Sequence, residues 1–229
     1  MSNGLLGACK TIGLVLALGV SMSADAGFLG FGGDGWKEEV LLHDGSKIIV
    51  KRSQTYGGRH EIGQPQPIKE HIISFKLPGS NETIEWTSEY DESLGRTNFN
   101  LLAVHVLNGT PYIVASPNLC LSYNKWGRPN PPYVFFKYDG KEWQRIPLEE
   151  FPTEFKTGNV AFGIRGLDVK AMVKQGLVSA ESVKRRNSEL LQPEYKTILR
   201  EALPESALCP QYSSSPKAPI PITPKTSKQ

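Results

Sequence analysis

The alternation of apolar and polar residues predicts β-strands over most of the first 150 positions. It is clearest in residues 71–77, where every second residue from Ile73 is apolar, and it continues in residues 82–89 after the turn at 78–81. A period of two buries one face of a strand and leaves the other in water, as antiparallel sheets allow. The two stretches therefore predict a hairpin.

Three more strand-turn-strand patterns accompany this hairpin. They are residues 39–52 about Asp44-Gly45, 101–116 about Asn108-Gly109 and 133–146 about Asp139-Gly140. The second and third dipeptides suit type I′ turns, in which two consecutive residues need positive φ. The chain is thus predicted to be mainly β, with about eight antiparallel strands in four hairpins, forming a sandwich or a barrel. A lipocalin-like barrel around a small ligand is one form of this prediction.

The C-terminal third changes to a helical period. Residues 159–164 are predicted to be a last strand, and Asp168 is predicted to cap a helix over 169–175. Ser179 caps a second helix that runs to about residue 191, and Pro193 begins a third that runs to 203. We expect these two or three helices to pack on the sheet through one apolar stripe each.

The N-terminus has the pattern of a secretory signal peptide over residues 1–26. An apolar run at 11–20 follows Lys10, and Ala24 and Ala26 fit the cleavage site. The run is shorter than the roughly 20 residues that cross a bilayer. We therefore expect cleavage after Ala26, a periplasmic or extracellular protein, and no membrane span after cleavage.

The mature chain is predicted to have one folded domain. Residues 27–35 are a Gly-rich flexible lead-in, residues 36–209 form a single β-rich domain with a helical C-terminal part, and residues 210–229 are a Pro/Ser-rich disordered tail. A chain of this size buries one substantial core and does not need two domains.

Export changes the interpretation of the cysteines. Cleavage removes Cys9 and leaves Cys120 and Cys209, an even pair in an oxidising compartment. The simplest interpretation is one disulfide, which would join the C-terminal region to the middle of the chain. Two free thiols are the alternative, because spacing alone proves no contact.

The charge of the mature body argues against a nucleic-acid partner. Of the 26 Lys and Arg, four lie in the signal or the tail (Lys10, Lys217, Lys225 and Lys228), which leaves 22; of the 23 Asp and Glu, only Asp25 is lost, which also leaves 22. Residues 27–216 are formally neutral, whereas a nucleic-acid surface needs a net basic stripe.

One connection, residues 118–133, has the composition of a binding loop. Aromatic, amide and cationic side chains lie between rigid prolines, and the candidate binding residues are Tyr123, Asn124, Trp126, Arg128, Asn130 and Tyr133. Flat aromatic faces with directional donors are typical of interaction hot spots. The alternative is that Trp126 closes the end of the sheet and the disulfide holds the loop.

Two segments resemble a known family. They are residues 116–138, SPNLCLSYNKWGRPNPPYVFFKY, and residues 36–45, WKEEVLLHDG. They resemble an uncharacterised family of exported proteobacterial proteins with no assigned activity, and the resemblance extends over residues 36–201. It implies a Gram-negative, periplasmic setting and carries over no catalytic residue.

The chemistry-bearing residues favour no particular reaction. The four histidines have no metal-ligand spacing, so neither a metal nor another cofactor is expected. The best enzymatic candidate is the acidic run at 89–92, where Glu89 or Asp91 would serve a hydrolase of cell-envelope polymers. Such an enzyme needs two carboxylates that face each other across a cleft.

We therefore expect a non-enzymatic binding or interaction protein that uses residues 118–133, with another envelope protein as its partner. Three alternatives stay open: the envelope-polymer hydrolase, a structural envelope component, and a lipocalin-like small-ligand binder. The pattern does not indicate an oligomeric state.

Overall fold

A computed structural model describes residues 34–58, 60–93 and 97–211. The predicted signal peptide, its cleavage after Ala26, most of the Gly-rich lead-in and the tail beyond residue 211 lie outside the described residues. Asp34 and Gly35 were predicted to belong to the lead-in. They are instead the first two residues of a strand and pair with Gln54 and Ser53, so that part of the prediction is wrong.

The described residues form two antiparallel sheets of four strands each. The first sheet contains β1 (Asp34–Leu41), β2 (Lys47–Tyr56), β3 (Ile68–Lys76) and β4 (Thr83–Thr87), and the second contains β5 (Phe99–Leu107), β6 (Thr110–Pro117), β7 (Val134–Tyr138) and β8 (Trp143–Ile146). Within each sheet, neighbours in sequence are neighbours in space. The prediction of eight strands in four hairpins is confirmed. The arrangement resembles a sandwich and is not a closed barrel.

The hairpin turns agree with the sequence at one Asn/Asp-Gly pair and differ at another. Asn108 and Gly109 have φ of 50° and 76°, as a type I′ turn requires. The turn at Asp139-Gly140 is not type I′, because four residues separate Tyr138 from its partner Trp143. There the Asp139 side chain accepts hydrogen bonds from the N–H groups of residues 141 and 142, both at 2.9 Å.

The main core lies between the two sheets. The first sheet contributes Val40, Val50, Ile73, Phe75, Ile84 and Trp86, and the second contributes Phe99, Leu101, Val104, Val106, Ile113, Ala115, Val134 and Phe136. Trp86 and Phe136 join the two layers, with ring centroids 5.5 Å apart. The predicted inward face of the 71–77 hairpin is thus the face that is buried.

The second sheet is buried on both faces, with the help of a β-bulge. The register between β5 and β6 shifts between Leu101 and Ala103, so one extra residue stands in β5. Leu101 and Val104 face the main core, while Leu102 and Ala103 face the opposite side. That side is covered by the C-terminal part of the chain, chiefly by Phe151, Phe155 and Ile198.

The C-terminal part covers the sheet with less helix than the sequence predicts. Its helices are α2 (Gly166–Met172), α3 (Ala180–Ser188) and the single turn α4 (Pro193–Lys196); α1 (Leu119–Lys125) precedes β7. Ser179 caps α3 as predicted, since its Oγ accepts from the Ser182 N–H at 3.2 Å. The third helix stops well before residue 203, because Thr197 turns extended and pairs with Thr157.

Two other C-terminal predictions need correction. Asp168 lies inside the first turn of α2, where its carboxylate accepts from the Arg165 N–H at 3.3 Å, so it is not the N-cap residue. Residues 159–164 form no strand. Asn159 occupies the edge of β5 through its side chain: Oδ1 accepts from the Val104 N–H at 2.9 Å and Nδ2 donates to the Val104 carbonyl at 2.7 Å. An amide side chain thus replaces a neighbouring strand.

A buried ion pair connects β1 and β2 in the first sheet. Arg52 Nη1 donates to the Glu38 carboxylate at 3.0 Å, and the two side chains are 2% and 0% exposed. Glu38 also accepts from Trp36 Nε1 at 2.8 Å and from the Ala161 N–H at 2.7 Å. The pair therefore binds the segment after Asn159 to β1 and β2.

Across the described ranges, no helix is long and apolar enough to cross a membrane.

Candidate functional site

The predicted binding loop contains a short helix that the sequence did not indicate. Helix α1 begins directly after Asn118, and its first residue, Leu119, has a φ of 64° and is 62% exposed. The helix carries Cys120, Tyr123 and Asn124 in one and a half turns. Helical spacing places these three side chains close together, which an irregular loop would not guarantee.

The aromatic side chains of this loop are inside the protein. Trp126 is 3% exposed, Tyr123 4% and Tyr133 2%. The Trp126 ring lies 4.4 Å from the Phe99 ring, and the Arg145 guanidinium lies 5.3 Å from its centroid. The expectation that these aromatic faces are presented to a partner is therefore not met. Their apolar surface is instead buried inside the domain.

Two polar candidates, Asn124 and Arg128, connect α1 to the carbonyl of Cys209. Asn124 Nδ2 donates to the Cys120 carbonyl at 2.8 Å, and its Oδ1 accepts from Arg128 Nη1 at 3.0 Å. Arg128 Nη1 also donates to the Cys209 carbonyl at 2.8 Å, and its guanidinium lies 5.2 Å from the Tyr123 ring. Burial raises the pKa of the Tyr123 hydroxyl.

Asn130 and Tyr133 continue the same set of contacts. Asn130 Nδ2 donates to the Leu203 carbonyl at 2.8 Å, and Oδ1 accepts from the Leu203 N–H at 2.7 Å. The Tyr133 hydroxyl lies 2.8 Å from the Glu194 carbonyl oxygen and accepts from the Leu199 N–H at 3.3 Å. Burial also raises the pKa of the Tyr133 hydroxyl.

The disulfide completes this arrangement. Cys120 and Cys209 are bonded, with 5.2 Å between their Cα atoms, and the predicted pairing is confirmed. Trp126 thus contacts the core, Arg128, Asn130 and Tyr133 contact residues 194–209, and Tyr123 and Asn124 contact Arg128. The structure brings them together, but there they hold the C-terminal segment against the domain. This agrees with the alternative interpretation of the sequence, in which Trp126 closes the end of the sheet and the disulfide holds the loop.

The acidic run lies against the same loop. Lys125 Nζ of α1 forms an ion pair with the Asp91 carboxylate. Hydrogen bonds from Lys125 and from the Ser93 N–H and hydroxyl hold the pKa of Asp91 well below its usual range. Partial desolvation raises the pKa of Glu89, against the opposing effect of Lys125 and Arg145. Both oxygens of Asp91 accept hydrogen bonds from Ser93 or Lys125 within the protein.

A cavity of about 520 Å³ opens beneath α3, away from the predicted loop. Its lining comes from α3 (Ala180, Val183, Lys184, Asn187 and Ser188), from Thr157, Gly158 and Asn159, from Leu41 at the end of β1 and from Lys196 of α4. This volume is in the range of small-molecule sites. The sequence did not reveal the cavity, because its walls come from four separate parts of the chain.

The two amides that line this cavity are already bonded to the backbone. Asn159 Nδ2 donates to the Leu41 and Val104 carbonyls at 3.0 and 2.7 Å. Asn187 Oδ1 accepts from the Phe162 N–H at 3.1 Å, and its Nδ2 donates to the Val160 carbonyl at 2.9 Å. These amides shape the cavity, and its charge is supplied by Lys184 and Lys196.

Two of the four histidines, His43 and His105, pack against the Phe155 ring, with ring centroids 5.2 and 4.3 Å away. His71 and His105 are buried, and burial lowers their pKa values to about 3 and about 4. His60 is exposed in the irregular connection after β2. In the part of the chain that the structure describes, no three His, Cys, Asp or Glu side chains are grouped as metal ligands would be.

No protein-family model, no curated protein and no solved structure matches the chain.

Proposed function

We propose that the chain is an exported, non-enzymatic binding protein that holds a small ligand in the cavity beneath α3. The observation that carries the proposal is the lining of this cavity, where Leu41, Ala180 and Val183 provide apolar surface and Asn159 and Asn187 are held by backbone hydrogen bonds. A concave site that combines apolar surface with fixed polar groups is the usual form of a small-molecule site.

Further observations support export and the absence of catalysis. The Cys120–Cys209 disulfide is of a kind that persists in oxidising compartments. The signal-peptide pattern over residues 1–26 and the resemblance to exported proteobacterial proteins favour the Gram-negative periplasm. Asp91, one of the two candidate catalytic carboxylates, is bound by Lys125 and Ser93, which weakens the case for the envelope-polymer hydrolase.

A neutral fluorescent probe tests the binding function. N-phenyl-1-naphthylamine brightens when it enters an apolar site, and we expect saturable binding of one probe per chain. Ser188→Trp should abolish this binding because the indole fills the cavity, whereas Ser80→Trp, at the exposed β3–β4 turn, should leave it unchanged. The proposal is wrong if the wild type binds neither this probe nor its sulfonated analogue 1-anilinonaphthalene-8-sulfonate, or if Ser188→Trp folds and binds as well as the wild type.

Fractionation tests the export part separately. The full chain, expressed in a Gram-negative host, should be recovered from the periplasm with Gly27 as its first residue. Deletion of residues 2–26 should keep the protein in the cytoplasm. A full-length protein that stays in the cytoplasm would contradict export without affecting the cavity.

A second candidate function is contact with another envelope protein on the exposed side of the loop. The specific observation is Leu119, which is 62% exposed and has a φ of 64°, a conformation that costs energy for a leucine. Such backbone outliers are concentrated at functional sites. Leu119→Asn keeps the positive φ accessible and should lose a partner on co-purification, while Leu167→Asn, at another exposed leucine, should keep it.

A further inference from the structure

The cavity beneath α3 carries two positive charges that no described residue neutralises. Lys184 and Lys196 both line it, and neither ammonium group has an ion-pair partner within residues 34–58, 60–93 and 97–211. Lys47, which lies opposite Leu41 in the β1–β2 pair, does have ion-pair partners. Its ammonium group binds Glu39 at 2.9 Å and Glu181 at 3.0 Å.

No acidic side chain belongs to the described lining of the cavity. A cationic ligand would therefore meet Lys184 and Lys196 without a compensating carboxylate. An anionic group would meet two free ammonium donors, because the amides of Asn159 and Asn187 are occupied by the backbone. The charge of the site thus selects for negative ligands.

The remainder of the lining favours an apolar ligand body. Leu41 is 41% exposed at the end of β1, although leucines are usually buried, and Val183 and Ala180 lie beside it in the cavity wall. A ligand that covered Leu41 would remove this apolar surface from water, which is favourable in proportion to the area covered. The ligand therefore needs both an apolar body and an anionic end.

We propose that the cavity takes an anionic amphiphile, an apolar body that ends in a carboxylate or sulfonate group, and that Lys184 and Lys196 pair with the anion. This proposal rests on the binding function proposed above and adds the class of ligand. It also assigns a function to the two lysines.

A matched pair of probes tests the class of ligand. 1-Anilinonaphthalene-8-sulfonate and N-phenyl-1-naphthylamine share an anilinonaphthalene body, and only the first carries a sulfonate. We expect the sulfonate probe to bind more tightly than the neutral one, and its affinity to fall with rising salt. Lys184→Gln combined with Lys196→Gln should weaken the sulfonate probe roughly tenfold, as two partly exposed ion pairs predict, and leave the neutral probe unchanged.

Charge insertion at one position provides the control. Ser188 lines the cavity at the exposed end of α3, where glutamate and lysine are both compatible with a helix. Ser188→Glu should weaken the sulfonate probe and Ser188→Lys should strengthen it. Lys170→Gln, on α2 and outside the cavity lining, should change neither probe.

The outcomes separate the two proposals. Equal affinity for both probes, or a double lysine variant that folds and binds the sulfonate as the wild type does, would overturn the anionic ligand class and leave small-molecule binding intact. If neither probe binds the wild type, the binding function itself fails. Thermal unfolding of each variant, measured beside the titration, identifies any loss of binding that is due to misfolding.

Discussion

The ring of Trp126 lies 4.4 Å from the ring of Phe99, at the junction between the predicted binding loop and the core of the sandwich. Both residues belong to the cluster that fills the space between the two sheets. The loop that looked most like an interaction site is therefore part of what holds the domain together.

Replacement of Trp126 tests this role. Trp126→Ala removes a ring that is 97% buried and leaves a cavity beside Phe99, so we expect the free energy of unfolding to fall by about 3–5 kcal/mol. Urea denaturation measures the change. Leu119→Ala, at an exposed position in the same loop, should stay within about 0.5 kcal/mol of the wild type. A Trp126→Ala variant as stable as the wild type would contradict the structural role of the loop and favour a role at the surface.

The Glu38–Arg52 pair predicts strong coupling between two buried positions. Arg52→Met leaves the Glu38 carboxylate buried without its cation, and we expect a loss of about 3–5 kcal/mol. Glu38→Gln with Arg52→Met should lose less than the sum of the two single variants, because no uncompensated charge stays inside. A double-mutant cycle in urea measures the coupling energy. Additive losses would show that the two charges do not depend on each other.

The Cys120–Cys209 disulfide closes a loop with a sequence separation of 89. Its removal frees the unfolded chain, which in the chain-entropy model lowers the free energy of unfolding by about 4.5 kcal/mol. Cys209→Ala should therefore unfold at lower urea than the wild type. Protein taken from the periplasm should accept no alkylating reagent without a reductant, and alkylation of two thiols under those conditions would contradict the pairing in the cell.

The buried histidines predict a loss of stability in mild acid. Burial lowers the pKa of His71 to about 3, with a further lowering by Arg52, and it lowers the pKa of His105 to about 4. In the unfolded chain both titrate near 6.5. Between those values the unfolded state binds more protons, so the stabilisation is complete above about pH 6.5 and decreases as the pH falls toward 4.

A substitution at His71 isolates its share of this effect. His71→Leu should flatten the dependence of the unfolding free energy on pH between about 4 and 6.5 by up to about 1.4 kcal/mol per pH unit. Urea denaturation at several pH values gives the slope. His60→Leu, at an exposed position, should keep the wild-type slope. An unchanged slope in His71→Leu would mean that His71 is already protonated, or has an ordinary pKa, in the folded protein.

The strands could be predicted from the sequence because their signals are local. Alternation from Ile73 depends on residues two apart, and the positive φ at Asn108 and Gly109 depends on those residue types themselves. The cysteine pair could be predicted from parity and compartment, since the predicted signal cleavage would leave Cys120 a single possible partner within the chain. The hairpins could therefore be predicted before any contact was known, whereas the disulfide was the simpler of two interpretations until the structure showed the bond.

Only the tertiary structure decided what the loop and the C-terminal third do. The local sequence around Trp126 is compatible with either an exposed or a buried ring. The ring is buried because Phe99 and Arg145, which are distant in sequence, pack against it. Asn130 finds its partner in Leu203, 73 residues later, and the third predicted helix stops early because Thr197 pairs with Thr157. Tertiary contacts outweigh helix propensity, which amounts to less than about 1 kcal/mol per residue.

The cavity beneath α3 depends entirely on such distant contacts. Leu41, Asn159, Val183 and Lys196 lie on four separate segments, and none of those segments carries a binding motif of its own. Hydrogen bonds outside the two sheets hold these segments, among them those of Asn159 with Leu41 and Val104 and that of the Gly158 N–H with the Lys196 carbonyl. A pattern of hydrophobic positions predicts which residues leave water, but the empty space between them is defined only when the elements have packed.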